Sequence, residues 1–345
     1  MPAPNQRISE YILERPIGRG SFAEVWLGRH HVWSDQLVAI KIPNDAQYIR
    51  NLQREGVAIH GLEHPNIVRA LGLDPYADPP YLVMEYVPGT SLRPLIESAT
   101  LRVDDAMEIM QQVLSGLGYA HRNNVIHRDI KPENILIHER SKKEGFAAPG
   151  VVKVTDFGLG KAAAISHESI AMSASIAGAE AKRIAGTLDY MSPEQKAGED
   201  IDARADLYAC GIVLYELLSG ERPAGTDVPS DLNPSVPKYL DDVFRRSYAR
   251  LEKRFGSADE FLQALRNPPP PQLISAPPAI GSTVSGSRDC PNCHRIVGPN
   301  DQFCMYCGKQ LVGFVLRCPQ CGAYPDPSDR FCIFCGVALG PQLTA

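Results

Sequence analysis

At 345 residues with 44% hydrophobic side chains, the chain is long enough for about two domains and can bury a sizeable core. A net charge of −5 and a pI near 6.0 leave no global basic footprint for nucleic acid. The chain has no run of about 18 apolar residues, and its polar start, Met1-Pro2-Ala3-Pro4-Asn5-Gln6-Arg7, lacks the apolar core of a signal peptide. No membrane span is therefore expected, and a cytoplasmic location is the expectation. Of nine cysteines, only Cys210 precedes residue 290, and the other eight fall between Cys290 and Cys335. That asymmetry predicts a second module of different chemistry.

In chain order, residues 11–17 read as a strand leading into Gly18-Arg19-Gly20-Ser21-Phe22-Ala23-Glu24-Val25. Its two glycines let the backbone turn tightly and approach an anion without a Cβ in the way; a plain strand-to-strand hairpin is the alternative. Val38-Ala39-Ile40-Lys41 reads as a half-buried strand ending in a lysine. The run 48–62 carries Leu52, Ile59 and Leu62 at helical spacing, with Glu55 among them, and Pro65 is expected to end it. Glu63 also lies near that lysine's expected partner position, but at the helix end. Tyr81-Leu82-Val83-Met84-Glu85-Tyr86-Val87-Pro88-Gly89 reads as a buried strand running into a hinge. Thr90 or Ser91 is expected to cap a short helix from about Leu92. A longer amphipathic helix follows over 104–122, with Met107, Met110, Val113, Leu114 and Leu117 on one side.

That helix delivers the chain to His127-Arg128-Asp129-Ile130-Lys131-Pro132-Glu133-Asn134. A carboxylate, a cation and a carboxamide within six residues can move a phosphoryl group. Asp129 can accept the proton of an attacking hydroxyl, Lys131 can neutralise charge on the phosphate, and Asn134 can hold magnesium through its side-chain oxygen. Ile135-Leu136-Ile137 reads as a strand, 138–150 as a surface loop, and Val151-Val152-Lys153-Val154 as the return strand. It ends at Asp156-Phe157-Gly158, 22 residues after Asn134. From 161 to 185 the composition turns to Ala, Ser and Gly, fitting a mobile segment. Gly186-Thr187-Leu188-Asp189-Tyr190-Met191-Ser192-Pro193-Glu194 follows it. Residues 206–218 form a helix with Leu207, Cys210, Gly211, Leu214, Leu217 and Leu218 at helical spacing, ended by Gly220. Two more helices are expected near 239–249 and 258–266.

Taken together, these motifs resemble the protein kinases of the serine/threonine type, in the style of the bacterial ones, over about 11–266. The resemblance implies an α+β fold of two lobes, a β-rich N-lobe and a helical C-lobe, with ATP and two magnesium ions as nucleotide and cofactors. It implies a phosphate-gripping Lys41 paired with Glu55, a loop aspartate at Asp129, and metal ligands at Asn134 and Asp156. For the nucleotide it implies Ile17, Gly18 and Gly20 in the glycine loop, the two glycines toward the phosphates, with Val25 and Ala39 on one face of the adenine, Leu136 on the other, and Met84 at the back. The Glu85 carbonyl and Val87 amide would meet the ring edge. Ala23 stands where the family has a third glycine, and Ser192 where it has alanine. Glu194 would pair with Arg254, and Asp206 would bond the catalytic-loop backbone. Ser166, Ser169, Ser173 and Ser175 become candidate autophosphorylation sites, with Arg128, Lys182 and Arg183 placed to dock the phosphate. Thr187 together with Lys131 points to Ser/Thr hydroxyls of protein substrates rather than Tyr.

Residues 267–287 are Pro-, Ser- and Gly-rich and read as an extended linker. The stretch 288–340 then holds one pattern twice: Cys290-x2-Cys293-x10-Cys304-x2-Cys307, and Cys318-x2-Cys321-x10-Cys332-x2-Cys335. All four cysteines recur after 28 residues, and so do Asp301/Asp329, Phe303/Phe331 and Gly308/Gly336. Each pair of Cys-x2-Cys turns aims four thiolates at one metal, a closed tetrahedral site. The module resembles a double zinc ribbon with two structural zinc ions; iron would also accept four sulfurs, and disulfides are disfavoured inside a cell. Basic and acidic residues nearly balance here, so a protein-docking role is preferred over nucleic acid. Two functions remain open at this point: an active Ser/Thr protein kinase, or a pseudokinase scaffold that binds nucleotide and partners. The presence of Lys41, Glu55, Asp129, Asn134 and Asp156 together favours the first.

Overall fold

The computed structural model describes residues 2–20, 23–45, 48–98, 101–157, 188–267 and 288–298. It also describes 301, 303–304, 306–311, 317–318, 320, 331 and 337–339. The chain divides into two compact units, 1–271 and 272–345.

The first unit begins with a six-stranded antiparallel sheet. Its strands are β1 (Arg7–Ile8), β2 (Tyr11–Arg19), β3 (Ala23–His30), β4 (Leu37–Pro43), β5 (Ala70–Asp74) and β6 (Tyr81–Glu85), in the order β1-β2-β3-β4-β6-β5. Alternation along β4 sorts its two faces. Val38, Ile40 and Ile42 pack with Leu13, Trp26 and Val83. Ala39 belongs instead to the main core with Leu82 and Met84, and Val25 packs against it. Lys41, two residues on from Ala39, therefore shares its face. The register sets Val25 opposite Lys41 and Ala39 opposite Met84.

Helix α1 (Ile49–Ile59) lies between β4 and β5 and buries Leu52, Glu55, Gly56 and Ile59. It stops earlier than the sequence suggests. His60 is already extended (ψ 124°) and Gly61 has φ +79°, so the turn at Gly61 ends the helix before Pro65 is reached.

The helical part follows: β7 (Gly89–Ser91), α2 (Arg93–Glu97) and α3 (Val103–Arg122), then β8 (Ile135–His138), α4 (Ser141–Glu144) and β9 (Val152–Val154). After residue 188 come α5 (Pro193–Ala197), α6 (Arg204–Ser219), α7 (Pro229–Leu232), α8 (Lys238–Ser247) and α9 (Ala258–Arg266). Thr90 and Ser91 do not cap α2. Their backbones pair with Ile137 and Leu136 in a three-stranded sheet, and Leu92 takes the N-cap position with no side-chain bond. The expected surface loop at 138–150 contains the single turn of α4.

Helices α3 and α6 form the core of this part. Met107, Ile109, Met110, Val113, Leu114 and Leu117 of α3 are buried as their spacing requires. Helix α6 is buried from Ala205 to Leu218, the mark of a central helix. Gly211 lets α8 approach, since a Cβ there would overlap Ser247. Gly220, in the left-handed region at φ 82°, ends α6. In the second unit, β10 (Arg288–Asp289) and β11 (Ile296–Val297) pair as a short hairpin around Cys290, Val297 and Cys304.

Candidate active site

Three elements converge on Lys41. Strand β4 brings its ammonium to a cleft where Nζ lies 2.7 Å from both Glu55 oxygens and 2.8 Å from Asp156 Oδ1. Glu55 reaches it from α1 and Asp156 from the end of β9. Glu63, the other candidate partner, is exposed. Burial alone would lower Lys41, but the Asp156 and Glu55 carboxylates outweigh it and hold the ammonium well above the ordinary lysine range. Asp156 has φ 61°, an uncommon conformation for a residue with a side chain.

A second cluster sits in the loop 127–134. Asn134 Nδ2 donates to the Asp129 carbonyl (2.8 Å) and to Asp129 Oδ2 (3.0 Å), while Lys131 Nζ lies 3.1 Å from Asp129 Oδ1. The Asp129 carboxylate is thus held by a cation and an amide in a largely buried position. Because Asn134 spends its amide nitrogen inward, its side-chain oxygen is the group left for a cation.

The loop's backbone is set from below by Asp206 of α6. Its oxygens accept from His127 N (2.8 Å), Arg128 N (2.7 Å) and His121 Nε2 (2.8 Å). Burial would raise Asp206, but the His121 bond and its neighbours outweigh it and keep the carboxyl below its usual range. His127 is fully buried: its Nε2 meets the Thr155 carbonyl at 2.8 Å and its Nδ1 accepts from Asp129 N at 3.2 Å. That arrangement requires the neutral ring, and burial pushes His127 in the same direction. Phe157 packs on the His127 ring, 4.5 Å between centroids.

The nucleotide side is built on the sheet. Gly20 N donates to the Ala23 carbonyl at 2.9 Å, closing the glycine turn, and a Cβ on Gly20 would crowd that oxygen at 3.3 Å. Asn44 Nδ2 holds the Gly20 carbonyl from the end of β4 (3.2 Å). Ala39 and Met84 are buried, and Val25, Val87 and Leu136 are partly buried around the same core. The Glu85 side chain is engaged by Lys153 at 3.0 Å, a contact the motifs do not announce. Gly158, the serines at 166, 169, 173 and 175, Lys182, Arg183, Gly186 and Thr187 lie outside the described residues.

Some residues near the site carry no motif that marks them. Arg93 of α2 binds Glu133 (2.8 Å) and Glu216 (3.3 Å), and also the Tyr190 hydroxyl, which itself donates to Glu216 at 2.5 Å. Burial pushes Glu216 up despite these partners. Gln195 closes a capping box with Ser192 and reaches the Arg128 carbonyl. Its half of the box, Ser192-x-x-Gln195, is a readable signal.

In the second unit, Cys290, Cys293, Cys304 and Cys307 gather with all four sulfurs within 4.8 Å of one another. Cys290–Cys307 is 3.6 Å and Cys293–Cys304 3.5 Å, far beyond a disulfide of about 2.05 Å. These lengths approach the edge of about 3.8 Å of a tetrahedron with metal–sulfur bonds near 2.3 Å. Hydrogen bonds from the Asn292 side chain and the Lys309 backbone draw the Cys307 thiol down to about 6. The Arg295 backbone lowers Cys293, but desolvation and the neighbouring sulfurs outweigh it and push that thiol up to about 12. Four thiolates crowd one another here unless a cation joins them, so the donor set fits zinc. Of the second set, Cys318 is buried, and Cys321, Cys332 and Cys335 lie outside the described residues.

Comparison with known proteins agrees with this geometry. The family model of the protein kinase domain matches residues 11–276, and that of the double zinc ribbon matches 287–336. The chain is 37% identical over 267 residues to the serine/threonine-protein kinase PrkC of Bacillus subtilis, covering 71% of this chain and 38% of the relative. It is 35% identical over 274 residues to the probable serine/threonine-protein kinase PknB of Lactococcus lactis, covering 73% and 41%. The chain thus spans about two fifths of the length of these curated relatives. The crystal structure of the Mycobacterium tuberculosis PknI kinase domain superposes with a TM-score of 0.59 at 25% identity, covering 77% of this chain and 99% of that one. No helix among the described residues is long and apolar enough to cross a membrane. The chain belongs to the protein kinase domain family, with a double zinc ribbon following the kinase domain.

Proposed function

We propose that the chain is an ATP- and magnesium-dependent kinase that transfers the γ-phosphoryl group to Ser/Thr hydroxyls of proteins in the cytoplasm. The kinase domain would span 11–266, the linker 267–287 and the ribbon module 288–340. The observation that carries the reading is the bridging of Glu55 and Asp156 by Lys41, beside an Asp129 braced by Lys131 and Asn134. A scaffold without turnover has no need of both clusters, Lys41 with Glu55 and Asp156 and Asp129 with Lys131 and Asn134, each complete.

In this reading ATP lies under the glycine turn, with Ile17, Val25 and Ala39 on one face of the adenine and Leu136 on the other. Met84 closes the back, and the Glu85 carbonyl and Val87 amide meet the ring edge. Asn134 and Asp156 offer hard oxygen donors for two magnesium ions, which neutralise phosphate charge when bound. Lys41 positions the α- and β-phosphates. Asp129 takes the proton of the acceptor hydroxyl as its oxygen bonds to the γ-phosphorus, and the bond to the bridging oxygen breaks to release ADP. Lys131 steadies the charge on the transferred group.

Autophosphorylation at Ser166, Ser169, Ser173 or Ser175 belongs to the same reading. Arg128 supports it, since its Nε is buried with no hydrogen-bond partner among the described residues. The ribbons would hold two structural zinc ions, one on Cys290, Cys293, Cys304 and Cys307, the other on Cys318, Cys321, Cys332 and Cys335. They would dock a protein partner or substrate. The test is incubation with Mg-ATP and a generic basic protein, followed by mass spectrometry of both. Phosphate on Ser or Thr supports the reading. Unmodified proteins, with ATP still raising the melting temperature, would establish the pseudokinase instead.

A further inference from the structure

The peptide that carries Asp129 is gripped at both ends. Its carbonyl, that of Arg128, accepts from Gln195 Nε2 at 3.1 Å, and its N–H, that of Asp129, donates to His127 Nδ1 at 3.2 Å. The grip matters because Arg128 sits at φ 67°, a conformation L side chains resist. Asp206 takes the N–H groups before it. Asp206 and His127 both belong to the base of the loop, whereas Gln195 is the third residue of α5. The Gln195 Oε1 accepts from Ser192 N and Ser192 Oγ, both at 3.1 Å. That contact fixes the amide's orientation, since a flipped amide would set an oxygen against the Arg128 carbonyl.

We propose that Gln195 is a positioning residue for phosphoryl transfer, acting through the Arg128–Asp129 peptide to hold the Asp129 carboxylate in register with the segment that leads into α5. The inference rests on Asp129 being the group that faces the acceptor hydroxyl. Glutamine suits the task because one planar group both accepts from Ser192 and donates to the carbonyl. Two single changes separate these halves. Gln195→Glu keeps a fully competent capping box with Ser192 and removes the donor. Gln195→Lys keeps a donor for the carbonyl and removes the cap.

The experiment measures kcat, KM for Mg-ATP and melting temperature for the full chain, wild type beside Gln195→Glu, Gln195→Lys and Asp129→Asn. The expected result is a kcat about 10-fold lower in Gln195→Glu, because a small misplacement of the base is costly. KM for Mg-ATP stays at its wild-type value in that variant, while the melting temperature falls, because a carboxylate oxygen then faces the Arg128 carbonyl. Gln195→Lys melts lower but returns to within about 3-fold of wild-type kcat. Wild-type kcat in Gln195→Glu would reduce Gln195 to a helix cap and overturn the proposal. Equal losses in the Glu and Lys variants, or failure of Gln195→Glu to fold, would overturn it as well. Retained activity in Asp129→Asn would instead remove the role given to Asp129, a separate failure.

Discussion

Glu194 and Arg254 form a buried two-point ion pair, Nη1 to Oε1 at 2.7 Å and Nη2 to Oε2 at 3.2 Å. Arg254 is further held by the Arg204 carbonyl (2.8 Å) and the Ala249 carbonyl (3.1 Å), and its guanidinium lies over the Tyr208 ring. The pair ties the start of α5 to the segment before α9, and so fixes the platform on which Gln195 stands.

Removing one partner leaves the other charge buried and uncompensated. Arg254→Met is expected to destabilise the kinase domain by about 3–5 kcal/mol, read from urea unfolding at pH 7. Burial would raise Glu194, but the Arg254 bond outweighs it and holds the carboxyl below its usual range. A lowered carboxyl gives stability that is full above the ordinary value of about 4.3 and is lost as pH falls through the folded value. In Arg254→Met burial raises Glu194 unopposed, so the variant takes up its proton at higher pH than wild type, and the gap should be full where both carboxyls are ionised and narrow progressively on acidification. A gap that widens on acidification would contradict the assignment.

Lys41→Met removes the cation shared by Glu55 and Asp156. Transfer measured as kcat/KM should fall about 100- to 1,000-fold, as when one preorganised electrostatic contact is lost. Since Lys41 is held above the ordinary lysine range, it should contribute no alkaline limb to the wild-type pH–rate profile below about pH 10. A limb below that pH that vanished in Lys41→Arg would show that this lysine titrates after all.

The kinase motifs were legible because each is local. Glu55 could be chosen over Glu63 because helical spacing puts it on the buried face with Leu52 and Ile59. Cys210, at helical spacing with Leu207 and Leu214, is buried in α6, and that burial pushes its thiol well up. Boundaries were less legible. Gly61 ends α1 through backbone geometry that competes with the stronger-looking Pro65. The span of β5 is hard to read because Gly72 interrupts its pattern at a register shift. The Arg93–Glu216 contact joins residues 123 apart in sequence, so no local pattern announces it. Thr90 and Ser91 looked like caps because local chemistry favours that, but pairing with β8 claimed their backbones.

For the ribbons, metal analysis of reduced, purified protein should give about two zinc per chain. Cys304→Ser should halve that content, and chelation should unfold the 272–345 unit while the kinase domain keeps its melting transition. Fewer than about 1.5 zinc per chain in the wild type would contradict the two-site claim.

The most direct measurement is transfer of labelled γ-phosphate from Mg-ATP by wild type beside Asp129→Asn, scored on the chain itself and on a generic basic protein. Wild type should place label on serine or threonine, and the variant should lose most of it, about 100-fold or more for removal of a general base. Equal labelling by both proteins would contradict the role of Asp129. No labelling by either, while ATP still binds, would contradict the account of this chain as a working kinase.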